Sequence, residues 1–336
     1  MSTLSTLAAS KAGGEHLPEG ILDRLLEHYE SMLRIRLLEE EVARLRGTGD
    51  IIGSVHLCNG QEAVYVGAAA ALDPRIDAVF PTYRGHGWAV AMGVPPKAIL
   101  AELLGRASGI SGGRGGSAYF TAPAYGFYGE NSIVGAAAPI ATGSALAASF
   151  AGSKRISVAS FGDGALNQGA VHEAMNFAAI RRLPVLFLVE NNSYSEMTPT
   201  SLMVRDDRLF KRAQIYGFSG ARVDGNDPEA MRQAVTLAKR ELLRGNGPVL
   251  LEAITARIVG HYIGDAQHYR PAGEVDNDLE REPLRVITER MLGLGVPASA
   301  IALVSDRVAQ EIEAASAAAL ADPMADPKNN GEHLYE

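Results

Sequence analysis

The alternation of apolar and polar positions divides the chain into helices and strands before any single residue is weighed. Over residues 18–47 the side chains of Ile21, Leu25, Leu26, Tyr29, Met32, Leu33, Leu37 and Val42 recur at helical spacing between charges, which predicts an amphipathic helical arm after a disordered start. That pattern suits a helix packed on its own core as well as one in a subunit contact. A glycine-punctuated loop, GSVHLCNGQEAVYVG at 53–67, leads into an apolar helix, and AVFPTY at 78–83 reads as a strand that ends in TYRGHG. A short helix over 95–104 precedes the glycine-rich loop GRASGISGGRGG at 105–116, and IVGAAAPIATGSALAASF at 133–150 reads as a helix of small residues suited to close packing. Strands at 221–224 and 249–257 flank a helix over 229–243, and helices over 282–292 and 297–320 close the chain. The repeated alternation predicts an α/β fold, a doubly wound parallel sheet, with helical extensions at both ends. Its expected divisions are 1–47 (disordered start and arm), 48–272 (the sheet, with the ligand site) and 273–336 (helical extension and tail).

The centre of the pattern is residues 156–192. ISVASF has the continuous apolar character of a strand buried on both faces, and it stops at Gly162-Asp163-Gly164. From Asn167 the positions Val171, Met175, Phe177, Ala178 and Leu183 follow helical spacing, and Pro184 closes the helix before a second apolar run at 185–189. This is a βαβ unit with parallel strands, and ligands of such sheets sit beyond the carboxyl ends of the strands, where Asp163 and Asn191-Asn192 fall. Gly162 and Gly164 let backbone approach a ligand, a following helix start offers free N–H groups to an anion, and a carboxylate with an amide oxygen suits a hard divalent cation. Diphosphate held through magnesium uses all three. A lone GDG is a common turn; GDG followed after 26 residues by NN is far more specific.

That spacing, within GDGALNQG and ENNSY, resembles the binding signature of thiamine diphosphate enzymes, in particular the alpha subunits of two-component 2-oxo acid and acetoin dehydrogenases. The likeness runs from about Leu22 to the ADPMADP tail. It implies that the side chains of Asp163 and Asn192 and the carbonyl of Tyr194 bind Mg2+, that Tyr83 and Arg84 contact the diphosphate, and that Gly164 and Ala165 supply backbone contacts. Ser132 and Val134 would meet the pyrimidine, Ser132 standing where the family has glycine. His56, His86 and His261 are the candidates for substrate contact and proton transfer, histidine being the side chain that titrates near neutrality. Loop 105–116 matches the family's GKATGxSxGRGGSMH segment and would form an ordered wall near the cofactor. In TARIVGHYIGDAQHYRP, aligning the GH pairs puts Val259 where pyruvate-type subunits carry a cofactor-reaching histidine; Asp265, His268, Tyr269 and Arg270 there look more like acetoin-type subunits.

The resemblance further implies a beta subunit that brings the pyrimidine-activating glutamate, because 336 residues leave room for one cofactor-binding module and not for two. An α2β2 heterotetramer working with a lipoyl acyltransferase on a small carbonyl substrate, acetoin for preference, is the expected assembly. A pyruvate or branched-chain 2-oxo acid dehydrogenase subunit, a carboligase subunit, or a catalytically silent nucleotide-binding scaffold are the alternatives; a silent scaffold would be expected to lose Asp163, Asn192 or Arg84. Composition narrows the partners: a net charge of −8 with no basic stripe argues against nucleic acid. Cys58, the single cysteine, excludes an intrachain disulfide and a cysteine metal cluster. No signal-peptide core and no long apolar run suggests a membrane, so a cytoplasmic enzyme is expected.

Overall fold

A computed structural model describes residues 20–333; the start expected to be disordered lies outside the described residues. In chain order the helices are α1 (Ile21–Thr48), α2 (Glu62–Ala69), α3 (His86–Ala91), α4 (Pro96–Leu103), α5 (Ala137–Phe150), α6 (Gly169–Arg181), α7 (Arg212–Ile215), α8 (Pro228–Leu243), α9 (Glu274–Leu279), α10 (Pro283–Gly293) and α11 (Ala298–Ala321). The strands are β1 (Ala78–Phe80), β2 (Ser157–Gly162), β3 (Val185–Asn191), β4 (Tyr194–Ser195), β5 (Thr198–Pro199), β6 (Ser219–Asp224) and β7 (Val249–Ile254). Five of them form one parallel sheet in the order β1-β2-β3-β7-β6, and β4 pairs with β5 in a small hairpin.

The sheet splits the core by the two-residue period of its strands. Val158, Leu186, Leu188, Leu251 and Ala253 face one layer with α1, α2, α4, α8, α10 and α11; Ala159, Phe161, Val185, Phe187, Val189 and Leu250 face the other with α5 and α6. Helices on both faces make the sheet doubly wound. The arm α1 and the terminal α11 belong to the first of these cores, since Leu25, Met32, Leu38, Val308, Ile312 and Ala319 are buried in the same cluster as the strands. Among the described residues no helix is long and apolar enough to cross a membrane.

Local chemistry moves several boundaries. The first strand stops at Phe80 rather than at 83, because Pro81 has no N–H to continue a ladder. Helix α5 begins at Ala137 rather than at 133: Gly135 sits at φ 87°, a left-handed conformation no helix interior accepts. Between β2 and α6 a 3₁₀ turn over Gly164–Asn167 ends at Gln168, whose ψ of 137° is extended, so α6 starts at Gly169. Strand β7 stops at Ile254, paired with Asn191, so the two central ladders end together and release both chains at one edge. Helix α8 begins where Asp227 accepts the N–H groups of Glu229 and Ala230 and Pro228 takes the first helical position.

Candidate active site

The carboxyl ends of β1, β2, β3 and β7 open into one cleft of about 280 Å³, lined by residues from the segments that follow these strands together with His56, Ser132 and Val134. Of the residues singled out from the sequence, His56, Tyr83, Arg84, Ser132, Val134, Asp163, Gly164, Ala165, Asn192, Tyr194 and His261 all line it. His86 does not.

After β2, Asp163 caps the 3₁₀ turn by accepting the Gly164 N–H at 3.0 Å, and its other oxygen accepts the Thr200 hydroxyl. Burial pushes its carboxyl pKa up, and those two donors oppose the shift. Gly164 has no room for a side chain: a Cβ there would lie 2.1 Å from Ser195 Oγ. At the end of β3, Asn191 donates to buried Glu252 at 2.7 Å, and beyond it Ser193 turns the chain at φ 69°. Asn192 donates through Nδ2 to Gln61 at 2.6 Å and accepts the Tyr194 N–H at 3.2 Å. Among the described residues no three His, Cys, Asp or Glu side chains gather as a metal site. The oxygens the cleft offers include the Asp163 carboxylate, the Asn192 amide and nearby carbonyls, while the Glu190 carboxylate in the same lining is already bonded to Ser160 and Tyr65.

The other half of the lining is cationic. Arg84 is buried and donates to the carbonyls of Leu57 and His261, the latter at 2.9 Å. Arg257, 1% exposed, donates to the Glu196 carbonyl at 3.0 Å and the Tyr269 hydroxyl at 2.7 Å, and its Nε has no partner. All these acceptors are neutral, so two buried guanidinium groups face the cleft without a carboxylate hydrogen-bonded to either. Burial, then Arg84 and Arg257, depress the His261 pKa to about 4; burial and Arg84 hold His56 at about 3. Both rings are therefore neutral at pH 7. Since a guanidinium only donates, the His261 Nδ1 lying 3.4 Å from Arg257 is the acceptor and Nε2 carries the proton. The rings of His56, Tyr83 and His261 cluster, with His56 centred 4.4 Å from Tyr83 and 4.9 Å from His261. The segment carrying His261 is tied by Asp265, which accepts the His261 N–H at 2.6 Å and the Tyr269 hydroxyl at 2.7 Å, and by Arg270, which pairs with Glu274 and Asp278.

His86 is fully buried at the start of α3, with Nδ1 2.9 Å from Glu39 and Nε2 beside the hydroxyl and carbonyl of Ser117. Burial alone would lower its pKa; the Glu39 carboxylate overrides this and raises it to about 9. Behind it Glu130, with neither oxygen in an aligned hydrogen bond, is pushed up to about 8 by burial. The glycine-rich loop is ordered, but around Glu102, whose buried carboxylate accepts the N–H groups of Ser111, Gly113, Gly115 and Gly116; none of it lines the cleft.

A cleft at the strand ends of a parallel sheet that joins an oxygen-donor corner to two buried arginines, neither hydrogen-bonded to a carboxylate, suits an anionic ligand. In comparison with known proteins, residues 30–328 match the family model described as the dehydrogenase E1 component. The chain belongs to that family. It is similar to the pyruvate dehydrogenase E1 component subunit alpha of Zymomonas mobilis, 41% identical over 295 residues that cover 88% of this chain and 83% of that protein. It is likewise similar to the alpha subunits of acetoin:2,6-dichlorophenolindophenol oxidoreductase from Bacillus subtilis, 39% identical with 87% and 88% covered, and from Cupriavidus necator, 40% identical with 93% and 94% covered. Dehydrogenase E1 components are thiamine diphosphate-dependent as a family, and this chain is such a dehydrogenase component.

The segment after β7 separates two positions that the sequence sets side by side. Val259, matched there to a cofactor-reaching histidine, packs against the main core, and the histidine that lines the cleft from this segment is His261. The reason is local: Gly260, with Asp265 packed so closely that a Cβ would lie 2.6 Å from it, turns the chain between the two positions. Lining or supporting residues not singled out from the sequence include Arg257, Glu190, Ser195, Glu196, Thr82 and Gln61. Arg257 had a signal, being a charge just beyond an apolar strand; the others are recognisable only from their contacts.

Proposed function

We propose that this chain is the alpha subunit of a thiamine diphosphate- and Mg2+-dependent dehydrogenase that cleaves a carbon–carbon bond next to a carbonyl and passes the acyl group to a lipoyl carrier. The observation that carries the reading is the pairing of an oxygen-donor corner at Asp163 and Asn192 with the guanidinium groups of Arg84 and Arg257, neither hydrogen-bonded to a carboxylate, in one cleft. The residues fit the group. Asp163, the Asn192 amide oxygen and the Tyr194 carbonyl would hold Mg2+, which takes oxygen ligands and keeps some for phosphate and water. Arg84, Arg257 and the Gly164 and Ala165 backbone would hold the diphosphate, and the tight seat of Gly164 against Ser195 keeps that backbone bare. Ser132 and Val134 would border the pyrimidine. When bound, the cofactor supplies the carbanion chemistry. The chain's own part is to bind, orient and exchange protons: neutral His261, its Nδ1 turned to Arg257, offers its Nε2–H to a substrate oxygen, neutral His56 presents its ring beside it, and His86, held as a cation by Glu39, anchors the start of α3 beside Arg84.

Acetoin is our preferred substrate, on the likeness of the 260–271 segment to acetoin-type subunits; the relative at 41% identity named for pyruvate favours pyruvate as the second reading. A beta subunit in an α2β2 tetramer completes the site by bringing the pyrimidine-activating glutamate, in a cytoplasmic setting. The exposed Ile140 and Phe150 of α5 and Phe177 and Ile180 of α6 support that partner, being an apolar surface left uncovered in this chain. The test is to assay acetoin and pyruvate oxidation by this chain alone and with its beta subunit. Activity only in the assembled enzyme, greater with acetoin, is expected; robust turnover by this chain alone would sink the two-subunit reading.

A further inference from the structure

Behind the cleft a line of buried hydrogen bonds runs from Trp88 to Asn192, and its direction is fixed by which groups can only give or only take. The indole N–H of Trp88 only donates, and it donates to Ser160 Oγ at 3.0 Å. The single Ser160 proton therefore goes on to Glu190 Oε1 at 2.6 Å. The other oxygen of that carboxylate accepts the Tyr65 hydroxyl at 2.8 Å and Gln61 Nε2 at 3.2 Å, while Gln61 Nε2 also donates to the Tyr65 oxygen at 2.8 Å. With its amino group committed to these two acceptors, Gln61 can present only Oε1 to Asn192, which must answer with Nδ2, at 2.6 Å. The Asn192 oxygen is left on the edge that takes the Tyr194 N–H, with a second lone pair for a ligand.

We propose that Gln61 is a positioning residue that locks the Asn192 side chain with its oxygen toward the bound metal, so that the amide cannot rotate and offer its NH2 to a cation. This rests on the metal-site reading above. Gln61 is fully buried at the start of α2, and no metal ligand is asked of it. Groups behind a metal ligand typically matter by roughly ten- to a hundredfold in metal affinity.

A carboxylate in place of the amide has oxygens on both edges and needs no such lock, which makes the idea separable from a general packing defect. The experiment is a double-mutant cycle on the chain co-expressed with its beta subunit, with Mg2+ titrated calorimetrically at saturating thiamine diphosphate. Gln61→Met should weaken Mg2+ binding by roughly tenfold or more when Asn192 is present and by less than about twofold in the Asn192→Asp background. An equal loss in both backgrounds, or no loss in the first, overturns the proposal. Asp163→Ala runs alongside: lost Mg2+ affinity there with none lost in Gln61→Met removes the locking role alone, whereas unchanged affinity in Asp163→Ala removes the metal site itself. Should Gln61→Met fail to accumulate, Gln61→Asn, one carbon too short to span Glu190 and Asn192, makes the same test.

Discussion

The oxygen-donor half of the cleft and its cationic half are held in place by different means. Asp163, Asn191, Asn192 and Glu190 are bonded into the sheet and to Thr200, Glu252, Gln61, Tyr65 and Ser160, so each polar group has its partner without any ligand. Arg84, Arg257, His56 and His261 are instead crowded together, the two arginines depressing the proton affinity of both imidazoles, with the His56 Nδ1 and Arg257 Nε unpartnered. A buried guanidinium with no carboxylate hydrogen-bonded to it is costly, and an anion in the cleft lowers that cost. The first half is therefore preformed. The second, which includes the 257–271 segment, gains stability when the anion arrives, and loops of this kind commonly order with their ligand.

The largest effect should come from breaking the preformed half. Asp163→Ala removes the carboxylate proposed to hold the metal and should weaken Mg2+-dependent binding of thiamine diphosphate by roughly a hundredfold or more. Its melting temperature without ligand should stay close to that of the parent, because the lost group faces the cleft and burial already opposes its charge. Calorimetry with paired thermal melts checks both, and unchanged cofactor affinity would refute the assignment of Asp163.

Damage to the cationic half should fall on turnover. His261→Ala should lower kcat/KM by roughly ten- to a hundredfold, the size of one polar contact of ~1.4 to 2.7 kcal/mol lost in the transition state, with cofactor affinity nearly unchanged. Steady-state kinetics of the assembled enzyme decide it; a variant as active as the parent reduces the segment to scaffolding.

The contrast between the halves also explains what could be read from the chain. The GDG and NN positions were legible because a buried strand, a turn and the start of a helix leave a pattern in sequence order, and β1 to β3 with α5 and α6 follow it closely. Gln61 and Glu190 were not, because their roles arise from hydrogen bonds across 129 to 131 positions of chain. His86 was legible as a charge-bearing group and misleading as to place: once Pro81 ends the strand, the chain folds into α3 and buries the ring against Glu39, away from the cleft. The arm and tail, divided from the sheet by their charge patterns, share its core, since side-chain periodicity shows which face is apolar and not what covers it.

A smaller effect, and the sharpest view of the electrostatics, lies in the imidazole titrations. The folded chain holds His56 near 3 and His261 near 4, while the unfolded chain protonates histidine near 6.5. Between those values the unfolded state binds more protons, so these two groups make stability fall as pH drops below about 6.5. His86 has the opposite sign: raised to about 9, its contribution is full below 6.5 and is lost as pH rises through 9. Nitrogen-edge NMR should find His86 protonated and His56 and His261 neutral at pH 7. Adding thiamine diphosphate with Mg2+ should raise the His261 value, because the anion offsets Arg84 and Arg257; a value that stays put or falls would mean that the anion binds elsewhere.

The smallest expected effect tests whether proximity in sequence to the cationic half is enough to matter. Val259 lies two residues from His261, and its alignment with a pyruvate-type histidine would make Val259→His a switch of substrate preference. The structure assigns its side chain to the main core, on the far side of the Gly260 turn from the cleft lining. An imidazole there must either bury a polar ring without a partner, at roughly 1–3 kcal/mol, or push the segment outward. We therefore expect the melting temperature to fall while the ratio of kcat/KM for pyruvate and acetoin moves by less than about twofold, because the groups that touch substrate are unchanged. Competition between the two substrates measures that ratio directly. A tenfold move toward pyruvate would show that the 257–271 segment selects substrate through its backbone path, and it would shift the search for specificity from His56 and His261 to the turn that separates them from the core.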